Sequence, residues 1–140
     1  MVKRYARTRG ERLFRTGEGE FLMLHEAARG HFPVYMHARG SSPDVVSFRA
    51  HWSAGLARTE LSRLHAHVDR FNGCTPWLTA SVRHSHDSFA LEIVGHIRFC
   101  STDDDFATFA RFVDMSLSAA TKLFETVYSE ITVRCLQTAG

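Results

Sequence analysis

The sequence lacks a long hydrophobic run. No apolar stretch reaches the ~18 to 20 residues that cross a bilayer, and the basic residues 1–10 are not followed by the apolar segment of a secretory signal. We therefore expect a cytoplasmic protein. The three cysteines, Cys74, Cys100 and Cys135, form an odd set without C-x-x-C spacing. This disfavours a disulfide framework or a zinc ribbon and predicts reduced, mostly buried thiols.

Catalytic motifs are also missing. No G-x-G-x-x-G, P-loop, H-E-x-x-H or G-x-S-x-G pattern occurs. Cys74 lies between a predicted helix end and Pro76, with no thiol-enzyme motif around it. The acidic run 103–105 lacks the glycine and terminal glutamate of an EF-hand, and we expect it to cap the helix that follows. The sequence thus predicts a non-catalytic protein with no cofactor.

Nine histidines leave one alternative, a metal site at His84 and His86. Side chains two apart in a strand point to the same face, so both imidazoles could reach one ion. They fall, however, at a predicted hairpin turn, where strand alternation is lost, and no third ligand is placed beside them. Solvent-exposed hairpin residues are the favoured interpretation, and a metal-binding protein or enzyme is the alternative.

Positive charge is concentrated at the start of the chain. The net charge is +2, yet residues 1–15 contain six Lys or Arg residues against the single acid Glu11. We expect residues 1–15 to form a basic, frayed arm. Weak nucleic-acid binding through this arm is a further alternative function, although no aromatic residues interleave with the charges as in a nucleic-acid motif.

Three segments with alternating apolar residues follow, separated by glycine-containing turns. They are Phe21 to Glu26, Phe32 to Arg39 and Val45 to Trp52. Alternation with period two is typical of a strand with one buried face. Because the connections are short, the three segments predict an antiparallel meander.

The period then changes to that of a helix, with apolar residues at Leu61, Leu64, Val68 and Phe71. Asn72 and Gly73 tolerate positive φ angles and are predicted to end this helix, and Pro76 prevents its continuation. Alternation resumes from Leu78 to Val82 and from Phe89 to Phe99. These two segments predict a hairpin.

A second, longer amphipathic helix closes the chain. Apolar residues recur every three or four positions from Phe106 to Ile131. The order βββ-α-ββ-α predicts an α+β fold, a single domain over residues 1–140 in which helices cover one face of an antiparallel sheet. Phe112 and Tyr128 fall outside the main stripe of the last helix, and such a surplus of apolar surface favours a binding partner.

Three stretches resemble the YbjN family of bacterial proteins, whose fold resembles that of type III secretion chaperones. They are the helix end LHAHVDRFNGCTP, the hairpin from Leu78 to Phe99, and the ATKLFE pattern that begins at Ala120. Members of the family begin with an extra helix, and the basic, glycine-interrupted start of this chain predicts that this helix is missing or replaced. Arginine outnumbers lysine fifteen to two, which is typical of a GC-rich genome and suggests an actinobacterial member.

The resemblance implies non-catalytic peptide or protein binding, chaperone-like or regulatory, by a protein that is a homodimer. A client would bind at an exposed sheet edge and on the flank of the last helix. The residues expected to make apolar contacts with the client are Phe48, Trp52, Trp77, Phe112 and Tyr128.

Overall fold

A computed structural model describes residues 1–17, 19–28, 30–39, 45–56, 58–85, 88–98 and 105–132. The helices and strands are α1 (Val2–Arg9), β1 (Leu13–Gly17), β2 (Glu20–Ala27), β3 (Gly30–Arg39), β4 (Val45–Leu56), α2 (Leu61–Cys74), β5 (Thr79–Ser85), β6 (Ser88–Arg98) and α3 (Asp105–Val127). A 3-10 turn precedes α2, and a π-helical turn, Tyr128–Thr132, extends α3. The strands form one antiparallel sheet in the order β1-β2-β3-β4-β6-β5. The predicted α+β class, meander and hairpin are confirmed.

The N-terminal prediction is wrong. Residues 1–15 are not a frayed arm, and the N-terminal helix is not missing, because the chain forms α1 and the edge strand β1. Val2, Tyr5 and Ala6 recur at helical spacing and are buried. Gly10 takes the left-handed conformation, with φ of 68°, and ends the helix. Three apolar residues are enough to fix a short helix when they pack on an existing core, although the helix would be marginal alone.

The sheet has one face built into the core. Met23, Val34, Ala50, Ile93 and Ala80 lie in register in one row across β2, β3, β4, β6 and β5, and all five are buried. Side chains alternate between the two faces of a strand, so this register directs every neighbouring residue to the opposite face. In the described residues, all three helices pack on the same side as this row. We call that side the covered face and the other the open face.

The last helix, α3, supplies most of the aromatic packing on the covered face. Phe124 meets Phe32 edge to face at a ring distance of 5.0 Å and stacks on Trp52 at 5.8 Å. Phe112 meets Phe48 edge to face at 6.3 Å. Phe48 is fully buried, so its assignment to an apolar surface is corrected: it belongs to the core.

A polar cluster attaches α1 to α3. The Tyr5 hydroxyl donates a hydrogen bond to Asp114 Oδ1, and Arg9 Nη2 lies 2.7 Å from Asp114 Oδ2. The hydrogen bond from Arg9 holds the pKa of Asp114 below its usual range. Burial, together with the hydrogen bond to Asp114, raises the pKa of Tyr5. Both shifts favour the protonated tyrosine and the ionised aspartate that this cluster requires.

Acid should weaken this attachment. Because the pKa of Asp114 is lower in the folded chain than in the unfolded chain, its ionisation stabilises the fold at neutral pH, and this stability is lost as the pH falls through the folded pKa. We expect the Asp114→Asn variant to be less stable than the wild type at neutral pH and the difference to shrink between about pH 5 and pH 2. Urea unfolding across that range measures it. Asp69→Asn, an exposed change on α2, is the control and should show no such convergence.

The end of α2 differs from the prediction. The helix runs through Asn72 and Gly73 to Cys74, and the chain leaves it at Thr75, just before Pro76. Asn72 instead uses its side-chain amide to clamp β5: it donates from Nδ2 to the Ala80 carbonyl at 3.0 Å and accepts from the Ala80 N–H at 2.7 Å. The Leu78 N–H donates to the Thr75 carbonyl at 3.2 Å. The helix stop is therefore at Pro76, and Asn72 acts as a fixed partner for a sheet edge.

Removing this clamp should destabilise the fold. In Asn72→Leu, which is similar in size, the buried Ala80 backbone loses both partners, and we expect unfolding to become easier by about 2 kcal/mol. Asn72→Asp keeps the acceptor for the Ala80 N–H but loses the donor, so an intermediate loss is expected. Urea unfolding measures both variants. Equal stability of wild type and Asn72→Leu would contradict the clamp.

Candidate functional site

A pocket of about 460 Å³ lies between α2 and α3. Its walls come from one face of each helix, because residues three and four apart in a helix are neighbours. We call it the α2–α3 groove and define it by nine residues: His67, Arg70, Phe71, Cys74, Thr75, Ala119, Lys122, Leu123 and Thr126. The pocket is within the size range of sites for small molecules or single large side chains.

The floor of the groove is apolar and its rim is cationic. Leu123 is buried, and Phe71 and Ala119 are half-buried. Arg70 and Lys122 are exposed on the rim, and within the described part of the chain neither forms an ion pair. None of the nine defining residues carries a carboxylate. An apolar cavity beside two unpaired cations suits a ligand that combines an apolar group with negative charge.

His67 is the third basic residue of the groove, and it is the one that already has a partner. Its Nε2 lies 2.9 Å from Glu130 Oε2, and its side chain is only 10% exposed. Glu130 belongs to the π-helical turn after α3, so this contact ties the end of α3 to α2. His67 therefore helps to fix the width of the groove, while Arg70 and Lys122 remain available to a ligand.

Exposed apolar side chains continue from the groove. Trp77 is 38% exposed, and Met115 is 41% exposed. Phe112, Met115 and Ala119 share one flank of α3, and Trp77 follows the groove residues Cys74 and Thr75 closely in the chain. We call Trp77, Phe112 and Met115 the apolar flank. Large apolar residues exposed next to a pocket are typical of a binding surface.

The five residues expected to contact a client have different environments. Trp77 is exposed and Phe112 is half-buried, and both lie on the apolar flank. Trp52 is half-buried against Phe124, and Phe48 is in the core. Tyr128 is half-buried in the π-helical turn and does not line the groove. A contact role for Trp52, Trp77, Phe112 and Tyr128 stays a prediction.

Sequence reasoning missed four residues of this surface: Arg70, Cys74, Met115 and Lys122. Their spacing contained a signal, since positions 67, 70, 71 and 74 on α2 and 119, 122, 123 and 126 on α3 each mark one helix face. The predicted burial of thiols is wrong for Cys74, which is exposed at the end of α2 because it lies past the last buried turn of that helix. Cys100 and Cys135 lie outside the described residues.

The sheet edge is less available than predicted. Asn72 binds both backbone groups of Ala80, so the N–H and carbonyl of that residue point away from β6, towards the open edge of the sheet. By alternation, the backbone groups of Val82 and His84 point the same way. The first half of this edge is therefore occupied from within the chain. A client strand could pair only with the second half of β5 or with the five-residue strand β1 at the opposite edge.

A second pocket, of about 310 Å³, lies where α1 meets α3 and β2. Its polar groups are occupied by each other: His25 Nδ1 lies 3.0 Å from Glu11 Oε1, and Asp114 holds Tyr5 and Arg9. His84 is exposed and meets Phe89 edge to face, and His86 lies outside the described residues. Among the described residues, no three His, Cys, Asp or Glu side chains are placed to hold a metal ion. No helix in that part of the chain is long and apolar enough to cross a membrane.

Comparison with known proteins gives the fold but no family by sequence. No family model matches the chain, and no curated protein matches it. Among solved structures it is similar to YbjN from E. coli, a protein described as a candidate transcription regulator. The two share 12% sequence identity with a TM-score of 0.66, over 91% of this chain and 89% of that one. This likeness shows a YbjN-like α+β fold.

Proposed function

We propose that this chain is a non-catalytic protein-binding module that takes up a short acidic segment of a client protein in the α2–α3 groove. One observation supports the proposal most directly: an apolar pocket carries the unpaired cations Arg70 and Lys122 on its rim and continues into exposed Trp77 and Met115. A client side chain such as Leu or Phe would fill the pocket, and neighbouring carboxylates would face the two cations.

The shape of the groove favours a helical client. Two neighbouring helices form its walls, and an amphipathic helix commonly binds such a groove through apolar residues at i, i+3, i+4 and i+7. Strand addition, the other mode expected from the sequence, is supported less, because Asn72 already occupies the backbone of Ala80 at the β5 edge. Of the two client sites expected from the sequence, the sheet edge and the flank of the last helix, we retain the helix flank.

Fluorescence anisotropy with a labelled amphipathic peptide tests the proposal. The peptide carries Leu on one helical face and Glu elsewhere, and we expect micromolar binding at low salt. Two controls separate the contributions: one replaces every Glu with Lys, and the other replaces every Leu with Ser. If all three peptides bind equally, or if none of them binds, an acidic, apolar client is contradicted. Since Trp52 is in contact with Phe124 and Trp77 is exposed, intrinsic fluorescence should also change, and Trp77→Phe should remove the change.

The broader assignment is a further part of this proposal. The YbjN-like architecture and the FNGCTP stretch support membership of the YbjN family, and with it a chaperone-like or regulatory role in the cytoplasm. In the observed fold, the Asn72 side chain of that stretch binds the backbone of Ala80 in β5. A purified protein with a defined client would establish whether the role is regulatory.

A second candidate function is nucleic-acid binding through the N-terminal cations. Arg4 lies over the Phe106 ring at 3.9 Å and Arg9 pairs with Asp114, whereas Lys3, Arg7 and Arg12 are exposed. Phosphate contacts make binding fall steeply with salt. A gel shift that is absent at low salt, or insensitive to salt, would remove this candidate.

A further inference from the structure

The open face of the sheet has an apolar centre that nothing in the described chain covers. Phe14, Leu22, Tyr35, Arg49, Val94 and Thr79 lie in register in one row across all six strands. Phe14 is 49% exposed, and Leu22, Tyr35 and Val94 are half-buried. Leu24 and Pro33 form a neighbouring apolar pair. We propose that this open face is the interface between two copies of the chain, packed sheet against sheet.

The charges on this face argue for a second copy of the chain over a polyanion. The face carries Glu20 and Glu26 on β2, and Arg98 and His96 on β6. Arg83 pairs with Glu92 at 2.9 Å, and Arg49 lies over the Tyr35 ring at 4.7 Å. A surface that binds nucleic acid would carry a clear excess of positive charge. Among the residues named here, the three arginines Arg49, Arg83 and Arg98 match the three glutamates Glu20, Glu26 and Glu92, and such a balance suits a self-complementary interface.

The same charges select the direction of the two-fold axis. An axis perpendicular to the strands would place β2 over β2, so that acids face acids. An axis along the strand direction, between β3 and β4, places β2 over the partner's β6, given the strand order. Glu20 then faces the partner's His96, and Leu22 faces the partner's Val94. In the central strands, Tyr35 faces the partner's Arg49, which repeats across the interface the cation–π contact seen within one chain.

The size of the face is adequate for a stable dimer. Six strands ~4.8 Å apart span about 29 Å, and three to four side-chain rows ~6.8 Å apart span about 24 Å, so the face presents on the order of 700 Å². A standard interface uses about 800 Å² from each partner. Two sheets packed in this way keep their strands within about 30° of each other and about 10 Å apart.

Light scattering of the full chain at micromolar concentration tests the proposal, together with the variants Leu22→Glu and Val94→Arg. We expect a dimeric wild type, and a dissociation constant at least about tenfold higher for each variant. Circular dichroism should show that both variants fold, because each side chain is already partly exposed in one copy. The control is Met115→Glu, an exposed apolar residue on the helix side, which should leave the dimer intact.

Mixing the two variants tests the alignment itself. In the mixed dimer, the Leu22→Glu site of one copy would face the Val94→Arg site of the other, which pairs opposite charges, and the unchanged Val94 and Leu22 would meet at the symmetry-related contact. Dimers should therefore re-form when the two monomeric variants are combined.

Two kinds of result would count against the proposal. A monomeric wild type, or folded variants that stay dimeric, would overturn it, and the face would then belong to another occupant such as a nucleic acid or a different protein. Monomeric variants that fail to pair when mixed would overturn the proposed axis. None of these results depends on the peptide groove.

Discussion

Gly95→Val should destabilise the protein by about 2 kcal/mol. Gly95 lies opposite Phe48 in the β4–β6 pair and is buried. A Cβ atom at this position would lie 2.5 Å from Leu78 Cδ2, 3.1 Å from the Trp77 carbonyl oxygen and 3.3 Å from Phe112 Cζ. Leu78 can rotate, but the Trp77 backbone and the Phe112 ring cannot both withdraw. Valine favours strands by up to about 1 kcal/mol, whereas overpacking at such a site costs about 3 kcal/mol.

Urea unfolding measures this effect, and a second strand glycine provides a matched control. A Cβ atom at Gly17 in β1 would meet nothing within 4 Å, and Gly17 has no positive φ angle. We therefore expect Gly17→Val to change stability by less than about 0.5 kcal/mol. If Gly95→Val is as stable as Gly17→Val, the packing of Phe112 against Gly95 is wrong. Because that packing positions two members of the apolar flank, a partly folded Gly95 variant should also lose peptide binding.

Much of the fold could be predicted because its cause is local. Alternation placed β2, β3, β4 and β6 to within a few residues, since a half-buried strand repeats its apolar side chains every second position. The same alternation predicted which side chains share a face of the sheet, but not how deeply each one is buried. Phe48 was expected at the surface, and the reason for its burial is Phe112, which is far from it in sequence and packs over it.

The N-terminal helix could not be predicted because its stability comes from distant residues. Six cations in the first fifteen residues indicated a solvated arm. In the structure, Tyr5 reaches Asp114 and packs edge to face on Phe109 at 6.0 Å. Those two partners lie on α3, more than a hundred positions away. Three apolar residues at helical spacing are a weak local signal, and they determine a helix only when α3 provides a surface on which they can pack.

The α2–α3 groove was missed for the same reason. Each helix alone presents cations and small residues that resemble an ordinary solvated face. The pocket arises only because α2 and α3 pack side by side on one face of the sheet, which brings Arg70 and Lys122 to the same rim. Asn72 shows the opposite case, in which sequence identified an informative residue but assigned it to a helix cap, because a side chain that clamps another strand leaves no periodic pattern.

Reversing the charge of Arg70 and Lys122 together should nearly abolish binding of the acidic amphipathic peptide. Among the described residues, neither side chain forms an ion pair, so the double variant Arg70→Glu, Lys122→Glu replaces attraction with repulsion. We expect affinity at low salt to fall by about 100-fold. Wild-type binding should also weaken as salt rises, because exposed charges are screened beyond about 10 Å at 0.1 M salt. The residual binding of the double variant should instead strengthen as salt rises, because salt then screens a repulsion. Anisotropy titrations at two salt concentrations measure both effects.

A control with the same change in net charge separates a local effect from a general one. Lys3→Glu, Arg7→Glu alters two exposed cations on α1 that lie one helical turn apart, on the other side of α3 from the groove. If the groove binds the peptide, this control should change affinity by no more than about threefold, because the reversed charges are distant and screened. Equal losses of affinity in the two double variants would mean that the peptide responds to the overall charge of the protein. That result would contradict binding of the client in the groove.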